Sequence, residues 1–248
     1  MIKPLLTICL ALCTLAAPAS AAEIKVIGSP GFREAYSVLV PRFEKATGNR
    51  VVTIWDGVTN VAKRIAEGET ADIVILPVAQ IEDLIKQGKL VAQSRIDIAK
   101  SGIGVAVHAG ARRIDLSSGD TLKKALLASK SFAYSTGPSG AHMAALIRGW
   151  GIGEQVKAKI VPVPTNTPVG EVVARGGAEI GFQQVSELLH VKGIDYLGPL
   201  PADIQETTVF AAALHTKAAA PDAAKALVKF LSAPEAAPTI RKTGMEPG

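Results

Sequence analysis

Residues 23–48 read EIKVIGSPGFREAYSVLVPRFEKATG, and the order of parts within them recurs down the chain. The first six residues make a short apolar strand, and Ser29, Pro30 and Gly31 form a turn. Phe32, Tyr36, Leu39, Val40 and Phe43 then fall on one helical face, since 3.6 residues make a turn. Pro41 is expected to kink that helix and Gly48 to stop it. RVVTIW (50–55) precedes a helix closing on Gly68, and ADIVIL (71–76) one closing on Gly88. Strands alternating with helices predict a parallel sheet covered on both faces.

The pattern resumes with the strand SGIGVAVHAG (101–110) and a helix capped by Asp120 or Thr121. FAYSTGPSGAH (132–142) is a strand, Ser135, a glycine-rich loop and a helix from about Ser139 to Arg148. KIVPVPTNTPVGEVVARGG supplies a strand, a Pro/Asn/Thr loop and a helix, and AEIGFQQ (178–184) a further strand. Segments near 100–104 and 205–210 read as strands passing between two halves. This predicts two α/β lobes, 22–103 plus 208–248 and 104–207, each a mixed, mostly parallel sheet with helices on both faces. VIGSPGFR and FAYSTGPSGAH rhyme, as do TIWDGVTN and VPVPTNTP. Four helix starts therefore follow four strand ends, the edge where open α/β sheets take ligands. Each start offers unpaired N–H groups and a positive dipole end, so several facing one cleft would hold an anion without a metal.

Residues 1–21 carry Lys3, an apolar run from Leu5 to Ala17 and a small-residue cleavage pattern at Ala19–Ala21. They read as a cleaved secretory signal peptide, which predicts export to a bacterial periplasm. Cys9 and Cys13 both lie inside it, so disulfides, cysteine nucleophiles and cysteine metal sites are excluded from the remainder. The 248-residue chain has 27 basic and 22 acidic residues, net +5, with the signs interleaved. No basic tract marks nucleic acid, and the mild positive balance suits a small anion. No metal-ligand spacing, P-loop or dinucleotide fingerprint is present, so no cofactor or metal is expected. A monomer is expected.

The segments RIAEGETADIVILP, LIRGWGIGEQVKAKIV, RGGAEIGFQQVSELL and FLSAPEAAPTIRKTGMEPG resemble the periplasmic solute-binding proteins of the molybdate-binding type, over nearly the whole chain after residue 21. The resemblance implies a type 2 periplasmic binding fold whose lobes close on a small anion destined for an ABC-type membrane transporter. It also implies serine-rich ligand contacts at helix starts. This chain departs from that pattern at Gly31 and Val58, which stand where the family has binding serines, and at Gln184, where it has a tyrosine. Arg33 is gained beside the first helix start. A guanidinium fork suits carboxylates, so an organic di- or tricarboxylate is favoured over molybdate.

The candidate ligand-binding residues are Ser29, Gly31, Arg33, Thr59, Ser135, Ser139, His142, Asn166, Thr167 and Gln184. Several have a plainer reading. Ser29, Ser135 and Thr59 are also good helix caps, and Asn166 and Thr167 are good turn formers. Arg33 opposes the dipole of its own helix, a mismatch an anion would relieve. Ser139 is no hydrolase nucleophile, because Ala141 stands where that elbow needs glycine. Two function classes follow. The first is a binding protein that releases its carboxylate unchanged. The second is an enzyme on the same scaffold, resembling periplasmic aconitate isomerases, in which His142 carries the proton, with Tyr134 or Glu34 behind it.

Overall fold

The computed structural model describes residues 21–164 and 166–248. The signal-peptide reading of residues 1–20, with both cysteines, falls outside them. Four strands of the first half are β1 (Glu23–Gly28), β2 (Arg50–Trp55), β3 (Ile73–Pro77) and β4 (Ile96–His108). They alternate with helices α1 (Arg33–Thr47), α2 (Val58–Ala66) and α3 (Val78–Lys86). The second half runs α4 (Gly119–Ala128), β5 (Phe132–Tyr134), α5 (Pro138–Gly149), α6 (Gly153–Val156), β6 (Ile160–Val161), α7 (Val169–Ala174), β7 (Ile180–Gln184), α8 (Val185–Leu188) and β8 (Ile194–Pro199). The chain closes with β9 (Thr207–Leu214), α9 (Pro221–Leu231), α10 (Ala237–Lys242) and β10 (Glu246–Pro247).

The strand order is β2-β1-β3-β9-β4-β7-β5-β6, with β8 and β10 also pairing β4. β1 pairs β2 and β3 in parallel, and β5 pairs β6 and β7 in parallel. β9 runs antiparallel to both β3 and β4. The 13 residues of β4 serve both lobes: Ile96–Gly102 pair with β9, and Ile103–Val107 pair with β7. The expected strand thus begins five residues earlier than its sequence suggests, because Ile96 and Ala99 find partners on β9. β8, which the sequence reading did not recognise, pairs antiparallel with Gly104–His108 of β4.

The lobes have separate cores. Phe32, Phe43, Phe210 and Leu227 belong to one cluster of the first lobe; Phe132, Phe182, Leu126 and Met143 belong to the second. All five apolar positions read on the face of α1 are buried, although Phe32 sits in the 3-10 turn before it. Burial of each such side chain stabilises the fold by roughly 1.5–3 kcal/mol. α1 continues through Pro41 and ends at Gly48, which takes the left-handed conformation at φ 74°. Pro41 is exposed, so the carbonyl that lost its donor faces water. The cap of α4 is Ser118, not Asp120 or Thr121: its hydroxyl accepts from the Thr121 N–H, and Thr121 Oγ1 accepts from the Ser118 N–H. No described helix is long and apolar enough to cross a membrane.

At the crossings, Gln205 clamps Ile103. Its Oε1 accepts from the Ile103 N–H at 2.9 Å and its Nε2 donates to the Ile103 carbonyl at 3.0 Å. One amide therefore ties both chain crossings to each other where the lobes join.

Candidate functional site

The four strand–helix junctions read from the sequence meet in one cleft between the lobes. Ser29, Gly31 and Arg33 reach it from the start of α1, and Trp55, Gly57 and Val58 from the start of α2. Across from them stand Ser135, Gly137 and Ser139 at α5, and Asn166, Thr167 and Pro168 at α7. α8 adds Glu187, with Gln183 and Gln184 preceding it on β7. The starts of α1, α2 and α5 thus point positive dipole ends at a shared space.

In the first lobe the loop is bent by Pro30 into a 3-10 turn before α1. Ser29 is fully buried, its N–H donating to the Ile75 carbonyl at 3.0 Å. Its hydroxyl does not cap the helix and has no hydrogen-bond partner among the described residues. Such a buried hydroxyl costs about 1–3 kcal/mol unless something satisfies it. Gly31 is dictated by Phe210, whose ring occupies the space a Cβ would need. The Gly31 carbonyl accepts from the buried Ser186 hydroxyl at 2.7 Å, which locks the turn to α8 of the other lobe.

Arg33 stands exposed at the cleft mouth, its guanidinium carbon 5.5 Å from the centre of the Trp55 ring. Tyr36 buttresses that ring edge-on at 5.0 Å and is itself held by Thr53 at 2.6 Å. None of the ion pairs among the described residues includes Arg33. Aromatic stacking orients the cation and leaves its donors uncommitted.

The second-lobe loop is internally satisfied. The Ser135 and Ser139 hydroxyls bond each other at 2.9 Å, and Ser135 Oγ accepts from the Gly137 N–H at 3.3 Å. Gly140 lets the α5 start fold back on the loop, since a Cβ there would strike the Ser135 carbonyl. Asn166 adopts φ 74°, a left-handed conformation asparagine tolerates, and accepts across the cleft from the Gly57 N–H at 2.6 Å.

The acidic groups differ in their commitments. Asp56 Oδ1 accepts from the Gly57 N–H at 2.7 Å and from Asn60 at 3.0 Å, and Oδ2 from Arg64 at 3.3 Å. Burial pushes its carboxyl up, but hydrogen bonds from Asn60, Gly57, Asn166 and Arg64 outweigh this and hold it below the usual range. Arg64 also grips Glu69, which in turn holds Lys25. Among the described residues the Glu187 carboxyl has a single hydrogen bond, from Gln183 Nε2 at 2.8 Å. Burial pushes it up to about 7, against the smaller opposing effects of Gln183 and the Arg33 charge.

Two sequence candidates lie elsewhere, and a third lines the cleft with its amide already committed. Thr59 is exposed in the second position of α2, behind the Gly57 cap, and lines an adjoining recess. His142 faces that same recess rather than the cleft, one helical turn too far along α5. Its Nε2 lies 2.7 Å from the Ile204 carbonyl and its Nδ1 2.6 Å from Glu206, so both nitrogens are engaged. Gln184 borders the cleft, but its amide is spent on the crossing strands: it accepts from Thr208 at 2.8 Å and donates to the Ser101 carbonyl at 3.0 Å. The sequence reading did not single out Trp55, Gln183 or Glu187. The run QQVSEL did carry a signal, a carboxylate three residues past a strand end. Among the described residues no group of three or more His, Cys, Asp or Glu is arranged to hold a metal.

Two α/β lobes joined by strand crossings, with helix starts lining the cleft between them, define the periplasmic binding protein fold. The chain belongs to the bacterial extracellular solute-binding protein family, which it matches over residues 24–246. An aconitate isomerase from a Pseudomonas species is 34% identical over 230 residues, 90% of this chain and 87% of that protein. The molybdate-binding protein ModA of Azotobacter vinelandii is 30% identical over 236 residues, 93% of this chain and 92% of that one. The solved Azotobacter vinelandii periplasmic molybdate-binding protein superposes with a TM-score of 0.76 at 21% identity, covering 90% of this chain and 98% of its own.

Proposed function

We propose that this protein takes up a small organic di- or tricarboxylate in the periplasm and interconverts the isomers of an aconitate-type tricarboxylate by proton transfer. The lobes, 22–103 with 208–248 and 104–207, close over it. One observation carries the reading: Ser29 and Arg33, four residues apart at the start of α1, offer the cleft a buried hydroxyl and a guanidinium over an aromatic ring, neither hydrogen-bonded among the described residues. Arg33 would take a substrate carboxylate bidentately, and Ser29 would donate to a carboxylate oxygen beside it. Thr167, and whichever hydroxyl of the Ser135–Ser139 pair is not the donor within it, supply O–H groups from the facing lobe. A mismatched ligand leaves these donors unpaired, at about 1–3 kcal/mol each.

The relative named for aconitate isomerisation supports this choice of substrate. So does the replacement of two hydroxyl positions by Gly31 and Val58, which removes donors that a tetrahedral oxyanion needs. Incubating the purified protein with trans-aconitate and separating the products by chromatography tests it: cis-aconitate should accumulate to a constant ratio. Unchanged trans-aconitate would refute the isomerase.

The second reading is a binding protein that hands its carboxylate to an ABC-type transporter. It draws on the family and on the molybdate-binding relative. Under it, trans-aconitate would raise the melting temperature and be recovered intact.

A further inference from the structure

Glu187 is a carboxyl that anion binding alone leaves without a purpose, since it repels the guest the cleft is built to hold. It sits on α8, and its only hydrogen bond among the described residues comes from Gln183. Gln183 has no freedom to reverse that bond, because its own oxygen accepts from the Val169 N–H at 2.8 Å. One carboxyl oxygen is thereby fixed, and the other has no protein partner among the described residues. Among the described residues no ion pair neutralises Glu187, and the charged group acting on it is Arg33, which lines the same cleft from the other lobe.

We propose that Glu187 is the catalytic proton carrier of this pocket. The inference rests on the tricarboxylate reading and adds the residue that does the chemistry. As carboxylate, Glu187 takes one proton from the methylene carbon of aconitate. The electron pair left behind moves into the adjacent carbon–carbon bond, and the former double bond pushes its pair toward the far carbon and its carboxylate. Arg33 and the helix starts stabilise that added negative charge. The protonated Glu187 then returns its proton to the far carbon. The double bond has moved by one position, no atom is gained or lost, and Glu187 is a carboxylate again. The alternation needs a group that is both acid and base near neutral pH, and burial brings the Glu187 carboxyl to about 7. Gln183 serves as a positioning residue, because its Nε2 fixes one oxygen of the carboxyl while its own oxygen is held by the Val169 N–H.

The test follows trans-aconitate conversion by proton NMR in the full-length processed protein and in Glu187→Gln. The amide keeps the size and the Gln183 contact region but cannot accept a proton. We expect kcat to fall by about 100-fold or more while KM changes by less than about threefold. Wild-type kcat/KM should decline below about pH 7, where the free enzyme's carboxylate is lost. A Glu187→Gln protein that still turns over within about threefold of wild type would overturn the role of Glu187 and leave the isomerase reading standing. A wild-type protein that binds trans-aconitate without converting it would overturn both. If Glu187→Gln does not fold, the wild-type pH profile decides: kcat/KM flat from about pH 5.5 to 8.5 would refute the proposal.

Discussion

The two loops that face each other across the cleft share one sequence pattern and use it differently. In FAYSTGPSGAH the hydroxyls of Ser135 and Ser139 bond each other, which commits one of their two O–H donors before any ligand arrives. In VIGSPGFR the Ser29 hydroxyl is buried with no partner among the described residues, and Arg33 rests on an aromatic ring. The difference lies in what backs each glycine. Gly140 packs against the backbone of its own loop, whereas Gly31 packs against the side chain of Phe210, contributed from the far end of the chain. One jaw is a rigid, self-satisfied surface. The other carries the unmet hydrogen-bonding capacity, and it is there that a ligand's free energy of binding should concentrate.

Substitutions should separate the jaws, and the largest effect belongs to the rigid one. Gly140→Ala forces a methyl group into the Ser135 carbonyl and should cost about 2–4 kcal/mol in denaturant unfolding. Gly31→Ala meets a ring edge that can tilt, so about 1–3 kcal/mol is expected, with the loss felt by the ligand as well. An equal cost for the two would erase the distinction.

Arg33→Gln should weaken trans-aconitate binding by about 1.5–3 kcal/mol, measured by calorimetry, with the melting temperature of the empty protein unchanged. Ser29→Ala should lower affinity by about 1 kcal/mol and leave the empty protein as stable as before or slightly more so, because an unsatisfied buried hydroxyl is removed. Ser139→Ala should do the reverse, losing about 1 kcal/mol of stability through the broken pair with Ser135.

Glu187 gives a pH signature. Its carboxyl in the folded protein sits above its ordinary value of 4.5, at about 7. The folded state therefore binds more protons than the unfolded one between those values, and stability declines as pH rises through that window. Glu187→Gln removes this slope. The variant should gain about 1–3 kcal/mol on wild type at pH 8 and show no such gain at pH 4, by chemical denaturation. Smallest of all is His142→Ala, which should leave conversion within about threefold of wild type, since both ring nitrogens are engaged outside the cleft.

The architecture was readable because it depends on local signals. The apolar face of α1, the αL stop at Gly48 and the recurrence of strand, turn and helix each lie within about a dozen residues. The convergence of four helix starts followed from that order, because strand ends in such sheets share an edge. What escaped the reading depends on tertiary partners. β8 pairs only with β4, and β4 lengthens only because β9 lies alongside it. Gln184 looks like a ligand contact in sequence, yet Thr208 and Ser101 take its amide at the crossing. His142 is one turn from the loop, which is enough to place it in the next recess. Glu187 was invisible for the same reason: its raised carboxyl is set by burial between lobes, and no spacing in the sequence reports it.

If the open jaw awaits a carboxylate, the protein should prefer one to a tetrahedral oxyanion. Calorimetric titration of the ligand-free protein with trans-aconitate and, separately, with molybdate addresses it most directly. Saturable binding of trans-aconitate that depends on Arg33 is expected, with binding of molybdate weaker by at least about tenfold. Tighter binding of molybdate, unaffected by Arg33→Gln, would contradict it.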